Sequence, residues 1–185
     1  SVDYPAARVF VHGNNKTPVE LREAIGAGVG RIVVDSRIEL ARISQIAGEL
    51  GVVQDIYMRI TPGVEADTHE YIRTGCEDSK FGFNMRDDWA FNCVKDALAA
   101  PNVRLAGLHC HIGSQIFALH SFREAAQVMV ELMARIRREY GCTIDELDLG
   151  GGLGIAYLAD DKPSAIADFA ETTCTAVKDF CAEYD

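Results

Sequence analysis

Five short runs of apolar and β-branched residues, each followed by a helical stretch, constrain the fold of this chain more than any other feature. The runs are Arg8–His12, Arg31–Asp35, Asp55–Ile60, Arg104–His111 and Glu146–Gly150. Most are apolar nearly throughout rather than alternating, the pattern of strands covered on both faces of a parallel sheet. Helices are expected over about 18–27, 37–50, 88–99, 122–140 and 164–183. Thr17, Ser36 and Ser121 each stand three residues ahead of a Glu, so hydroxyl and carboxylate can satisfy the first free amides reciprocally, and Pro18 sits at the favoured first helical position. The first three strands start at Arg8, Arg31 and Asp55, a compact βα repeat. The spacing then widens, because Thr61–Met85, rich in Gly, Asp and Thr, reads as a long loop after a strand. Alternation alone fits both an open doubly wound sheet and a closed (β/α)8 barrel.

Charge narrows the partners. The chain carries 18 Lys+Arg against 28 Asp+Glu, a net charge of −10, with no local basic cluster. Such a surface repels phosphate backbones, so neither nucleic acid nor an anionic membrane is an expected partner. No apolar run approaches the roughly 18–20 residues of a membrane span, and the opening Ser1–Pro5 lacks the basic and apolar regions of a signal peptide. Six cysteines without a C-x-x-C pair read as reduced thiols of a cytoplasmic protein, most of them filling core or helix-face positions.

The chemistry-bearing residues fall at the carboxyl ends of the strands: His12, Asp35, Arg59, His111 and Gly150. Singly, Asp35 reads as helix-start chemistry and Arg59 as a surface cation. Their recurrence at one end of successive strands points to a shared pocket, where α/β sheets and barrels place their sites. In Leu108–Gln115, strand alternation directs His109 and His111 to one face and Cys110 to the other. No acidic residue accompanies the two imidazoles at ligand spacing, so stacking or hydrogen bonding is expected of them and no metal site is. Gly113-Ser114 then forms a turn whose amide and hydroxyl suit an anion.

Asp148–Gly154 places a glycine run directly after an apolar strand. Without Cβ atoms the backbone can approach a phosphate closely and aim amides at its oxygens. The lysine and hydroxyl of a P-loop are missing, and the run makes a poor dinucleotide fingerprint. Gly26–Gly30, between a helix and a strand, reads as a helix stop.

In order along the chain, Val11–Lys16, Val34–Ser36 with Glu39-Leu40, Arg59–Gly63, Ser79–Phe83, Gly107–Gln115 and Leu147–Gly154 resemble the diaminopimelate decarboxylase family of fold-type III pyridoxal-phosphate enzymes. The resemblance covers nearly all of the chain up to about Leu158. It implies that residues 1–185 are part of a pyridoxal-phosphate-binding (β/α)8 barrel, incomplete here, with strands three to seven of eight present and the C-terminal β domain lying outside the chain. It implies a carboxy-lyase acting on the small amino acid meso-2,6-diaminoheptanedioate, and a homodimer when full length.

The resemblance also implies site roles. His111 matches the histidine that stacks on the cofactor ring, while Ser114, Gly150, Gly151 and Gly152 match the phosphate cradle. Arg59 resembles a family arginine near the cofactor, and His12 and Gln115 face the same mouth. The Schiff-base lysine belongs to the first strand of the barrel and is expected outside this chain, which is therefore expected to be inactive alone; neither Lys16 nor Lys80 stands in its context. Other fold-type III decarboxylases, acting on ornithine, arginine or carboxynorspermidine, share the histidine, serine and glycine pattern, and a non-catalytic truncated barrel is the alternative outside enzymes.

Overall fold

The structure, a computed structural model, describes residues 3–64 and 81–184. The strands are β1 (Phe10–Val11), β2 (Arg31–Val34), β3 (Gln54–Thr61), β4 (Phe83–Asn84), β5 (Val103–Cys110) and β6 (Glu146–Asp148). The helices are α1 (Pro18–Gly26), α2 (Arg37–Leu50), α3 (Trp89–Ala99), α4 (Leu119–Tyr140) and α5 (Ile166–Tyr184). All strand pairs are parallel, in the order β1-β2-β3-β5-β6, with the two-residue β4 paired to the end of β3. A doubly wound sheet reverses its strand order at a switch point. Here spatial order follows chain order from edge to edge, which is the arc of a barrel, and the open choice between the two architectures resolves to an incomplete (β/α)8 barrel.

Alternation along the strands separates two faces. Ile32, Val34, Ile56, Met58, Ile60, Leu108 and Cys110 join Leu21, Ile43, Phe122 and Met129 of the helices in one buried core. Each fully buried aliphatic or aromatic side chain contributes roughly 1.5–3 kcal/mol. Val33, Tyr57 and Ala106 form a separate cluster on the concave face. Beneath it, toward the amino ends of the strands, Arg31 makes two bonds to Glu146 at 2.8 and 2.6 Å and a third contact to Asp55 at 3.0 Å. Tyr57 adds a hydroxyl bond to Glu146 at 2.7 Å, and Arg104 pairs twice with Asp55. On a flat sheet β2 and β6 would lie roughly 14 Å apart at three strand spacings. Curling of the sheet lets Arg31 reach Glu146, and the paired oxygens hold that curl while the opposite strand ends converge.

Local signals work as expected at α1, where the Thr17 hydroxyl accepts from the Glu20 amide and the Glu20 carboxylate accepts from the Thr17 amide. At α2 the Ser36 hydroxyl caps Glu39, but the Glu39 carboxylate turns to the Asp35 amide and to Lys16 instead. Helix α1 stops at Gly26, with Gly28 at φ +73°.

Three expectations are corrected. Helix α4 begins at Leu119, a turn earlier than Phe122, so Ser121 is fully buried inside the helix rather than capping it, and its hydroxyl has no hydrogen-bond partner among the described residues. Apolar packing of Phe122 and Ala125 in the core outweighs the cap. Residues Ala6–Arg8 form a 3-10 turn, leaving only Phe10–Val11 as strand. The stretch 61–85 contains β4, whose Phe83 packs in the core.

Lys80, Cys76 and Ser79 lie outside the described residues. The described cysteines are free thiols: Cys93 and Cys110 are buried, Cys142 is half-buried, and Cys174 and Cys181 are exposed on α5. Among the described residues no helix is long and apolar enough to cross a membrane.

Candidate active site

Parallel register places the polar residues side by side. Arg59 of β3 pairs with His109 of β5, and His109 pairs with Asp148 of β6, so three adjacent strands present guanidinium, imidazole and carboxylate on the concave face. His12, just beyond β1, meets His109 edge-on, with ring centroids 5.0 Å apart and planes at 67°. His111 lies two residues beyond His109, on the same face. Together His12, Arg59, His109, His111, Asp148, Gly150 and Gly151 line a cavity of about 410 Å³ at the carboxyl ends of the strands.

Neighbouring groups fix the orientation of Arg59. Its Nη1 donates to Asp35 Oδ1 at 3.4 Å, and its guanidinium lies over the Phe81 ring, 4.7 Å from the centroid. Gly82, at φ +68°, lets the chain pass against Arg59; a Cβ there would stand 2.5 Å from the Arg59 carbonyl oxygen.

The imidazoles are held neutral. Burial pushes His109 down to about 4, against the opposing attraction of Asp148. Burial also lowers His111, with Arg59 adding to the effect, and lowers His12. His109 is 4% exposed and its Nδ1 has no hydrogen-bond partner among the described residues. Cys110, pointing to the opposite face, is fully buried and pushed up to about 12 by that burial, a packing thiol rather than a nucleophile.

The glycine run is set by its neighbours. Asp148 Oδ1 accepts the Gly150 amide at 2.8 Å. Gly150, at φ +72°, would bring a Cβ to 2.5 Å from the Cys110 carbonyl oxygen and 3.0 Å from the His111 ring, and a Cβ on Gly152 would overlap the Gly113 carbonyl. Gly151 differs: its φ is not positive, and a Cβ there would meet no atom of the described residues within 4 Å. Ser114 is exposed on the loop after β5 and is not among the cavity-lining residues, while Gly113 beside it packs on Gly152. Gln115 does not present its side chain to the mouth as expected; its amide is bonded to the Ile155 backbone.

Lys16 is buried, donating to the carbonyls of Gly13 at 2.5 Å and Val33 at 2.7 Å and pairing with Glu39 at 2.9 Å. It braces the loop after β1 against α2.

Sequence reasoning missed two participants. Asp148 was quoted only as part of the glycine motif, although an Asp two residues ahead of a Gly at a strand end is the signature of an Asx-turn. His109 was placed on the correct face with stacking or hydrogen bonding expected of it, but its partners His12 and Asp148 were not identified, because they come from strands far apart in sequence.

The model of the family described as "Pyridoxal-dependent decarboxylase, pyridoxal binding domain" matches residues 1–185. A diaminopimelate decarboxylase of Corynebacterium efficiens is 44% identical over 183 residues, which cover 99% of this chain and 40% of the relative. That of Mycobacterium tuberculosis is 47% identical over 180 residues, covering 95% of this chain and 40% of the relative. The crystal structure of the M. jannaschii diaminopimelate decarboxylase in complex with L-lysine superposes with a TM-score of 0.85 at 34% identity, over 95% of this chain and 40% of that one. The chain thus spans about two fifths of the length of these relatives. With the family model matched from end to end and the same parallel barrel arc beneath it, this chain belongs to the pyridoxal-dependent decarboxylases, within their pyridoxal-binding domain.

Proposed function

We propose that the full-length protein is a pyridoxal-phosphate-dependent carboxy-lyase that converts meso-2,6-diaminoheptanedioate to L-lysine and CO2, a step of lysine biosynthesis, as a cytoplasmic homodimer. One observation carries the reading: Gly151 lines the cavity although neither its backbone conformation nor packing among the described residues requires glycine there. A ligand approaching the backbone closely supplies the reason, and a phosphate is the ligand that successive amides suit. The naming of relatives 44–47% identical to this chain supports the substrate.

The residues present fit the cofactor. Gly150, Gly151, Gly152 and the Ser114 hydroxyl would hold its phosphate. His111 would cover one face of the pyridine ring, its neutral imidazole adding no like charge to a pyridinium. Arg59, held between Asp35 and Phe81, and His12, at the rim, would border the ring. When bound, the cofactor supplies an electron sink for breaking the bond between the substrate's α-carbon and its carboxylate. The chain's own contribution is to hold the ring and phosphate rigidly through groups that are already fixed: the Arg59 guanidinium by Asp35, and the Gly150 backbone amide by Asp148. The apolar core behind β3 and β5 shields that side of the site from water.

The test is decarboxylation by the purified full-length protein with pyridoxal phosphate, following CO2 and amine product from meso-diaminoheptanedioate, ornithine and arginine in parallel. L-Lysine formed from the first, with the others turned over at least 100-fold less efficiently, is the expected result. Preference for ornithine or arginine would overturn the substrate assignment, and no turnover of any would overturn the function.

A further inference from the structure

The loops after β5 and β6 are joined by a short ladder. The Ile116 amide donates to the Gly152 carbonyl and the Gly154 amide to the Ile116 carbonyl, each at 2.9 Å, and Ile116 itself is completely buried. Gln115 extends this ladder with its side chain: Nε2 donates to the Ile155 carbonyl and Oε1 accepts from the Ile155 amide, both at 3.0 Å. A primary amide presents a donor and an acceptor in the geometry of a peptide group, so Gln115 pairs with Ile155 as a backbone neighbour would. The residue sits at φ +57°, in the left-handed region that non-glycine residues seldom occupy, so its backbone is committed to this arrangement. It stands next to Ser114, and its partner lies just beyond the glycine run.

We propose that Gln115 is a positioning residue for phosphate recognition: its amide sets the distance between Ser114 and the glycine run, so that one phosphate can be held by both loops at once. The proposal rests on the cofactor reading above. Glu at this position keeps the acceptor and loses the donor, and Asn is one methylene too short to reach Ile155, so only glutamine completes the pair.

The experiment measures the affinity of the full-length protein for pyridoxal phosphate, inorganic phosphate and pyridoxal in the parent and in Gln115→Ala and Gln115→Glu variants. Both substitutions are expected to weaken pyridoxal phosphate and inorganic phosphate about tenfold while leaving pyridoxal, which lacks the phosphate, within about twofold. Hydrogen exchange at the Ile155 amide should quicken in Gln115→Ala. Unchanged pyridoxal phosphate affinity, or equal losses for pyridoxal and its phosphate, would overturn the proposal. Should Gln115→Ala fail to fold, Gln115→Glu, which retains side-chain length and one of the two bonds, decides it alone. Gly151→Val, measured alongside, separates the two readings: unchanged phosphate affinity there removes the phosphate site itself, whereas a loss there with none at Gln115 removes only the positioning role.

Discussion

Asp148 Oδ1 accepts the backbone N–H of Gly150 at 2.8 Å, and that one bond joins the floor of the cavity to the loop that rims it. The carboxylate ends β6 beside His109 and also faces His12 and His111. Asp148→Asn keeps an oxygen acceptor for Gly150, whereas Asp148→Ala leaves the amide without one. Loss of such a bond costs about 1 kcal/mol. Cofactor titration of the full-length protein should show Asp148→Ala weakened by about fivefold or more, with Asp148→Asn near the parent.

The three glycines should separate by variant. Gly150→Ala and Gly152→Ala place a methyl against carbonyl oxygens at backbone angles that disfavour any side chain. Each should lower stability by about 1–3 kcal/mol, read by urea unfolding. Gly151→Val meets open space and should unfold like the parent while losing most of its phosphate affinity.

His109 ties stability to pH in one window. Its folded-state value, about 4, lies below the ordinary 6.5, so the unfolded chain takes up the proton first as pH falls. Stability due to this group is therefore fully present above pH 6.5 and is lost as pH drops toward 4. His109→Asn should flatten the pH dependence of the unfolding free energy between those limits.

Glu146 acts in a lower window. Arg31 and Tyr57 hold its carboxyl down at about 2, below the ordinary 4.5, so its contribution is present above pH 4.5 and lost as pH falls toward 2. Glu146→Gln should remove that slope and leave the His109 window unchanged. Circular dichroism through an acid titration distinguishes the two.

β1, β2, β3, β5 and β6, their order of appearance and the Thr17 start of α1 were legible because apolar runs and caps act over a few residues, whereas the two-residue β4 was not. The barrel arc was not legible from alternation alone: it needs the order β1-β2-β3-β5-β6, which the family resemblance supplied. Ser121 misled because a local hydroxyl-to-Glu spacing was outweighed by burial of Phe122, a contact set at the level of the core. At the site, His12, Arg59, His111, Gly150 and Gly151 were identified at strand ends and do share a cavity. The partners that orient them were hidden by distance in sequence: Asp35 against Arg59, and His109 between His12 and Asp148.

The most direct test is a crystal structure of the full-length protein with pyridoxal phosphate. The account predicts the phosphate within hydrogen-bonding distance of the Gly151 region and the Ser114 hydroxyl, with the His111 imidazole against one face of the pyridine ring. A phosphate held elsewhere, with the cavity between His111 and Gly151 filled by solvent, would contradict it.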